Sequence, residues 1–473
     1  MTSAPAPACT IVGAGPVGTL MALLLARRGR SVRLIERRPD PRHRPPERGR
    51  SINLALAARG IVALEQAGLM ARMRPHLVPM PGRMLHEADG RLRFLRYSHN
   101  EGELIHAVSR ERLNRELIEA AGAQPGIELQ FDARCIDVDP AAGILRIQDE
   151  RGGSVRTASF ELLLGADGAG SAVRSALQRH GLGEVRKEPL AHDYKELTIG
   201  ARASSAPDAP NAPGARDAPA AAAAPGYLFE PHALHIWPRG GHMLIALPNA
   251  DGSFTATLFL PRHGDPGFDR LRDGSAVRAF FAQQFADAAA VMTDLEQQFA
   301  AHPQGRLGTI HCQRWQLDGR ALLLGDAAHA IVPFHGQGLN CGFEDCRVLD
   351  QLLDGTADPS AALARFEHER RPDTEAIAAM ALENYVEMRD GVRSPQFAQR
   401  QALSAQLESR FPARFIPRYS MVMFHPEIPY AQAQRRGAQQ QQLLDALSAR
   451  FGFGPLQGEA LAYAQQLLDR HGL

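Results

Sequence analysis

The hydrophobic pattern of this chain changes period several times, and most of the changes fall on glycines. Thr10-Ile11-Val12 is an uncharged, β-branched run that meets Gly13-Ala14-Gly15-Pro16-Val17-Gly18. Such a run suits a central parallel strand, buried on both faces. Over 19–28 the period becomes helical, with Leu20, Leu23 and Leu24 on one face and Arg27-Arg28-Gly29 as the stop. A second strand is predicted over 31–35, ending on Glu36. The same grammar returns twice. An apolar strand over 161–164 enters Gly165-Ala166-Asp167-Gly168, and Leu322-Leu323-Leu324 enters Gly325-Asp326. A further helix is predicted after Gly336-Gln337-Gly338.

Elsewhere the pattern alternates. Residues 227–237, 243–248 and 254–260 predict antiparallel strands with one wet face. Residues 360–473 read as helices, with Phe366, Ile377, Met380 and Leu382 at helical spacing. The expected class is therefore α/β. A discontinuous Rossmann-like domain would use 1–75, 103–185 and 305–355. A mainly antiparallel β-sheet substrate domain would use 76–102 and 186–304, and a C-terminal helical region 356–473. Within the second domain, 201–226 is Ala/Pro-rich and cannot bury a core, so a mobile surface insertion is expected.

The first glycine motif has a clear physical reading. Gly13 permits the tight turn, Gly15 lets backbone approach a pyrophosphate, and Gly18 lets helix pack on strand. The helix N-terminus offers N–H groups and partial positive charge to a diphosphate. Glu36 stands where an acid would meet ribose hydroxyls. A turn that binds nothing is the bland alternative, and the motif alone does not separate NAD from FAD. The later segments favour FAD. Asp326, at the end of a buried strand, can accept from a ribityl hydroxyl. The helix after Gly338 points N–H groups at whatever lies before it, as a flavin pyrimidine edge requires. Taken singly, Asp326 could be a helix cap and Asp167 a turn residue.

Bulk numbers narrow the function classes. With 53 basic and 52 acidic residues the net charge is +1, which favours neither nucleic acid nor an anionic membrane. Five cysteines, without a C-x-x-C pair, predict reduced thiols in a cytoplasm. No 18-residue apolar stretch and no secretory leader are read, so a soluble cytoplasmic protein is expected, monomer or homodimer. Eighteen histidines show no metal-ligand spacing, and His329 reads as a packed or capping residue. No second nucleotide-binding glycine motif is present to hold a pyridine nucleotide permanently.

The three flavin-type segments together resemble the single-component (class A) flavoprotein aromatic hydroxylases. Within that group, Arg50-Ser51-Ile52-Asn53-Leu54-Ala55-Leu56, Leu234-His235-Ile236-Trp237-Pro238-Arg239 and Glu383-Asn384-Tyr385-Val386-Glu387-Met388-Arg389 resemble the kynurenine 3-monooxygenase family, over about residues 9–425. The resemblance implies tightly bound FAD, transient NADPH, O2, and hydroxylation of L-kynurenine through a flavin C4a-hydroperoxide. No protein side chain is then the catalytic nucleophile. By resemblance, Arg83 grips the substrate carboxylate, with Tyr97, Tyr419 and Asn384 as further polar contacts. Phe334 and Gln337 would lie by the substrate ring. The cofactor set implied is Gly13, Gly15, Val17, Gly18, Ile35, Glu36, Arg37, Arg38, Ala55, Arg110, Cys135, Asp167, Asp326, Gly338, Leu339 and Asn340. His242 and His335 stand where the family commonly has aromatic residues, which puts titratable rings near the expected pocket. Three readings stay open: kynurenine 3-hydroxylation, the same machinery on another aminoaryl acid, and a flavin protein or oxidase without hydroxylase activity.

Overall fold

The computed structural model describes residues 8–44, 53–202, 226–356, 358–391 and 394–473. Residues 203–225 of the Ala/Pro-rich insertion lie outside the described residues, as do 45–52. The chain divides into two compact units. One comprises Met1–Leu77, Val108–Ala191 and Arg306–Ala378, the other Val78–Ala107, His192–Gly305 and Ala379–Leu473. The C-terminal helices are thus shared between them, with the division inside the helix Pro359–Arg389.

The first unit is built on a sheet whose sequence order is scrambled. Parallel strands run Ala321–Leu323, Leu163–Gly165, Cys9–Val12, Val32–Ile35 and Ile127–Gln130, with Gln316–Leu317 antiparallel at one edge. Thr10 pairs with Leu163 on one side and Arg33 on the other, and Thr10 and Ile11 have no exposed surface. The helix Pro16–Arg27 starts three residues before the predicted point, because Pro16 supplies a preset φ at its first position. Its burial also differs from the one-faced pattern. Ten of its twelve residues are buried, since it packs on the sheet and against the helices Arg110–Ala123 and Gly338–Leu352. A separate antiparallel sheet joins Ala133–Asp139, Ile144–Asp149 and Val155–Ser159.

The second unit holds an extended sheet in the order Val185–Ile199 (from His192), Phe254–Pro261, Met243–Pro248, Leu234–Pro238, Gly82–His86 and Leu92–Arg96. Its pairs are antiparallel except Leu234–Pro238 with Gly82–His86. The strand expected over 227–237 begins only at Leu234. Pro231 has no N–H to donate and Glu230 accepts from the His232 N–H, so the backbone turns there. The rings of Tyr227 and Phe229 still pack on Phe254. One sheet face buries Trp237, Leu244, Ala246 and Leu258 against Phe281 and Phe285 of the helices that follow. The last helices enclose their own core, including Leu407, Phe415, Leu443 and Leu468. Among the described residues no helix is long and apolar enough to cross a membrane. All five cysteines are buried free thiols.

A buried ion network ties the first unit together. The Arg370 guanidinium lies 2.8 Å from Glu344 and 2.9 Å from Asp345, Arg59 lies 2.6 Å from Glu344, and His329 lies 2.6 Å from Asp345. Burial opposes ionisation of Asp345, but the charges of His329 and Arg370 outweigh it and hold its carboxyl below the usual range. A depressed native value gives stability that is full above about pH 4 and is lost as the pH falls through the native value. Arg370→Met leaves two buried carboxylates without their shared cation and should destabilise the fold by about 3–5 kcal/mol. Thermal melts of both proteins across acid pH check this: the variant should melt lower at neutral pH and lose less on acidification. Equal melting temperatures would refute it.

Candidate functional site

In the first unit, three loops end side by side. Gly13 has φ 104°, and a Cβ there would lie 2.5 Å from the Ala166 carbonyl oxygen. A Cβ at Gly18 would fall 2.0 Å from the Gly13 oxygen. These glycines serve the protein's own close packing. Gly15 is different, because a Cβ there meets nothing within 4 Å. It is the residue before Pro16 at the start of a twelve-residue helix, so open space lies before unpaired N–H groups. That is the cradle a diphosphate needs.

Ile35 is wholly buried, and Arg37 and Arg38 are exposed. Glu36 accepts from the Ala14 N–H at 2.9 Å and from the Arg38 N–H and Nε at 2.9 Å. Burial opposes its ionisation, but the Arg38 contacts prevail and hold its carboxyl below the usual range. Glu36 is therefore an anionic acceptor fastened beside the glycine turn. Val17 sits against Gly325 and Gly342, where added Cβ atoms would come within 3.3 and 2.7 Å of its methyls.

Asp167 accepts from Ser171 Oγ at 2.5 Å and from the Ala172 N–H at 2.7 Å, so it braces the start of the helix Ala172–Arg179, whose cap is Ser171. Burial, then the Asp167 charge, pushes the nearby Cys135 thiol up to about 12. Buried Arg174 donates to the carbonyls of Ala169 and Ala327, binding the second glycine loop to the third. Asp326 is the exposed residue in an otherwise buried run from Ala321 to Ala330. Its Oδ1 lies 4.0 Å from the place of a Cβ on Gly338, where the helix Gly338–Leu352 begins. Gly338, Leu339 and Asn340 form that helix's first turn. The Asn340 side chain accepts from the Ala57 N–H and donates to the carbonyls of Ala55 and Gly336, all at 2.8–2.9 Å. It is fully engaged in holding the Ala55 strand to the turn. Phe334, His335 and Gln337 are buried in that turn, and Arg110 is exposed at the start of the helix Arg110–Ala123.

His329, Cys341 and Asp345 lie close enough to share a metal ion. Arg370, however, already stands 2.9 Å from Asp345 and 3.5 Å from Cys341 Sγ, so the protein supplies its own cation there. His329 also packs against Trp315, with the ring centroids 4.9 Å apart.

In the second unit, Arg83 lies on the strand Gly82–His86 and is 8 % exposed. Its guanidinium is 3.7 Å from Glu387 and over the Tyr419 ring. Tyr419 and Tyr97 stack at 5.2 Å. Burial pushes the Tyr97 phenol up to about 12 and raises that of Tyr419 well above its ordinary value, so both remain neutral donors. Asn384 is buried, with Nδ2 on Met388 Sδ at 3.3 Å, one helical turn from Glu387. The unit thus gathers a cation, two phenols, an amide and a carboxylate. Glu387 was missed from the sequence, although its i+3 spacing from Asn384 placed it on the same helix face. His242 is not with this set. It packs against Phe280 and Phe285, on the sheet face that also carries Trp237 and Leu244, whereas Arg83 alternates to the other face.

A sequence profile described as an FAD binding domain matches residues 6–190 and 278–381. Proteins named kynurenine 3-monooxygenase align over nearly the whole chain. That of Xanthomonas campestris pv. campestris (strain 8004) is 46% identical over 94% of this chain and 93% of its own length. That of Myxococcus xanthus (strain DK1622) is 44% identical over 95% and 92%. The chain belongs to the kynurenine 3-monooxygenase family. It is a flavoprotein monooxygenase whose cofactor is FAD. Among solved structures, the tetrameric form of 2-methyl-3-hydroxypyridine-5-carboxylic acid oxygenase superposes with a TM-score of 0.63 at 20% identity, covering 84% of this chain and 96% of that one. PqsL of P. aeruginosa, in complex with 2-aminobenzoylacetate, gives 0.63 at 22%, covering 82% and 97%. These two speak for the fold alone.

The geometry separates the glycines by experiment. Gly15→Val should leave the fold near wild-type stability while abolishing FAD uptake. Gly18→Ala should lower the melting temperature even without the flavin, because its Cβ strikes backbone. Absorbance of bound flavin and melts of the apoprotein measure the two effects. A Gly15→Val protein that purifies with a full complement of FAD would overturn the assignment.

Proposed function

We propose that the protein converts L-kynurenine to 3-hydroxy-L-kynurenine, with NADPH as reductant and O2 as oxidant. The observation that carries this reading is the Arg83–Glu387 pair beside the Tyr97–Tyr419 stack. A carboxylate takes a bidentate guanidinium, and an ammonium takes a carboxylate. Arg83 and Glu387 therefore match the two charged ends of an α-amino acid. The phenols of Tyr97 and Tyr419, kept neutral by burial, donate to the acid end, and the Asn384 amide adds a polar contact. A simple oxidase has no use for such a clamp.

Bound FAD would take hydride from NADPH and activate O2; one oxygen atom enters the ring ortho to the amino group and the other leaves as water. Gly15 and the first turns after Pro16 and Gly338 would hold it, with Glu36 and Asp326 as acceptors for its hydroxyls. The chain's own task is to bind and orient the amino acid. With His242 inside the aromatic core, any shift of substrate range rests on His335. Five buried, unpaired thiols support a reducing, cytoplasmic setting.

The assay follows NADPH loss, peroxide and product with and without L-kynurenine. The reading predicts substrate-stimulated oxidation, little peroxide, and a product heavier by one oxygen atom. Peroxide equal to NADPH consumed, with or without substrate, would sink it. Arg83→Ala should raise KM for L-kynurenine by about 10- to 100-fold, since a charge-assisted contact is worth about 1.5–3 kcal/mol. FAD content should stay near wild type. An unchanged KM would remove Arg83 from the clamp.

A further inference from the structure

Behind the strand that carries Arg83 runs a chain of polar groups that the chemistry above does not use. His86 Nδ1 is 2.5 Å from Asp287 Oδ2, and His86 Nε2 is 2.8 Å from His235 Nδ1. His235 Nε2 is 2.8 Å from the Glu230 carbonyl oxygen. The other Asp287 oxygen accepts from Trp237 Nε1 at 2.8 Å, and the His86 ring stacks on Trp237 with centroids 3.9 Å apart. Both histidines are almost wholly buried.

The hydrogen positions follow from what each group can do. A carbonyl only accepts, so His235 Nε2 carries a hydrogen. Burial, then the neighbouring His86, pushes His235 down to about 3, so it is neutral and its Nδ1 is bare. A bare nitrogen only accepts, so His86 Nε2 carries a hydrogen. Burial opposes the ionisation of Asp287, but the bond and charge of His86 prevail and hold its carboxyl below the usual range. A carboxylate also only accepts. One hydrogen therefore lies in the bond between His86 Nδ1 and Asp287, and His86 is held at both ring nitrogens.

We propose that Asp287, His86 and His235 form a positioning relay, in which a buried imidazole bonded at both nitrogens locks the strand Gly82–His86 in place and so sets the aim of Arg83. The lock acts on three elements at once. His86 ends the Arg83 strand, His235 and Trp237 lie on its parallel neighbour, and Asp287 lies on the helix Ala286–Val291. Arg83 pairs with Leu234 and Met84 with His235 in that same ladder. Arg239 of the neighbouring segment adds a bond from Nη1 to the His86 carbonyl at 2.8 Å. Side chains alternate along a strand, so the relay grips one face and leaves Arg83 free to work on the other. The consequence for substrate rests on the reading of Arg83 given above; the bonds of His86 do not.

The test uses the holoenzyme. Asp287 is 44% exposed at its side chain, so Asp287→Asn tests the relay at its most tolerant point. An amide has one oxygen and cannot accept from both Trp237 and His86 as a carboxylate does. Asp287→Asn should raise KM for L-kynurenine by about three- to tenfold, with kcat and FAD content near wild type, because the clamp holds ground and transition states alike. Asp287→Glu should restore most of the loss. Long-range ¹H–¹⁵N spectra of histidine-labelled wild type should show a slowly exchanging ring N–H in the His86–His235 bond, absent in His86→Gln. Absence of that N–H from the wild type, a wild-type KM in Asp287→Asn, or no recovery in Asp287→Glu overturns the proposal. If Arg83→Ala itself leaves KM unchanged while that N–H is present, the substrate reading fails and the buried relay stands.

Discussion

The parallel pairing of Cys9–Val12 with Leu163–Gly165 is the constraint on which the first unit depends. It brings the turn at Gly13 so close to Ala166 that a methyl group would not fit between them. The next parallel pair carries Leu323 alongside Gly165 and delivers Gly325 and Asp326 to the same edge. Parallel strands all finish at one side of the sheet, so loops from three remote stretches gather there without any of them being neighbours in sequence. Backbone N–H groups and small residues then do the recognition, because a diphosphate needs donors and room.

Charge is handled differently in the interior. Arg370 joins Glu344 and Asp345, Arg59 shares Glu344, and His329 shares Asp345. The cost of desolvating such groups is offset only when each finds its partner. The pieces come from three helices and a short helical turn, so the network reports whether all of them have docked. Asn340 plays a neutral version of the same part, with its amide bonded to Ala55, Ala57 and Gly336.

The second unit relies on side-chain charge where the first relies on backbone. Arg83 and Glu387 stand near each other with two tyrosines beside them, an arrangement suited to a zwitterion. The opposite sheet face is given to a packed aromatic core, into which His86 and His235 bring polar atoms that are bonded in sequence from Asp287 to Glu230.

What the amino-acid sequence determined by itself was local. The strand–glycine–helix pieces at Gly13, Gly165 and Gly325 could be read because strand period, glycine freedom and helix starts are set within a few residues. The same holds for the alternating strands near Met243 and Phe254. Tertiary structure decided the rest. Only packing showed that the Pro16–Arg27 helix is buried nearly all round, that Pro231 delays the next strand, and that His242 faces Phe280 and Phe285. Only packing set Glu387 beside Arg83 and His86 between Asp287 and His235. Those pairs join residues 149 to 304 positions apart or lie across a sheet, and such closeness is settled by strand order and register, which no local pattern carries.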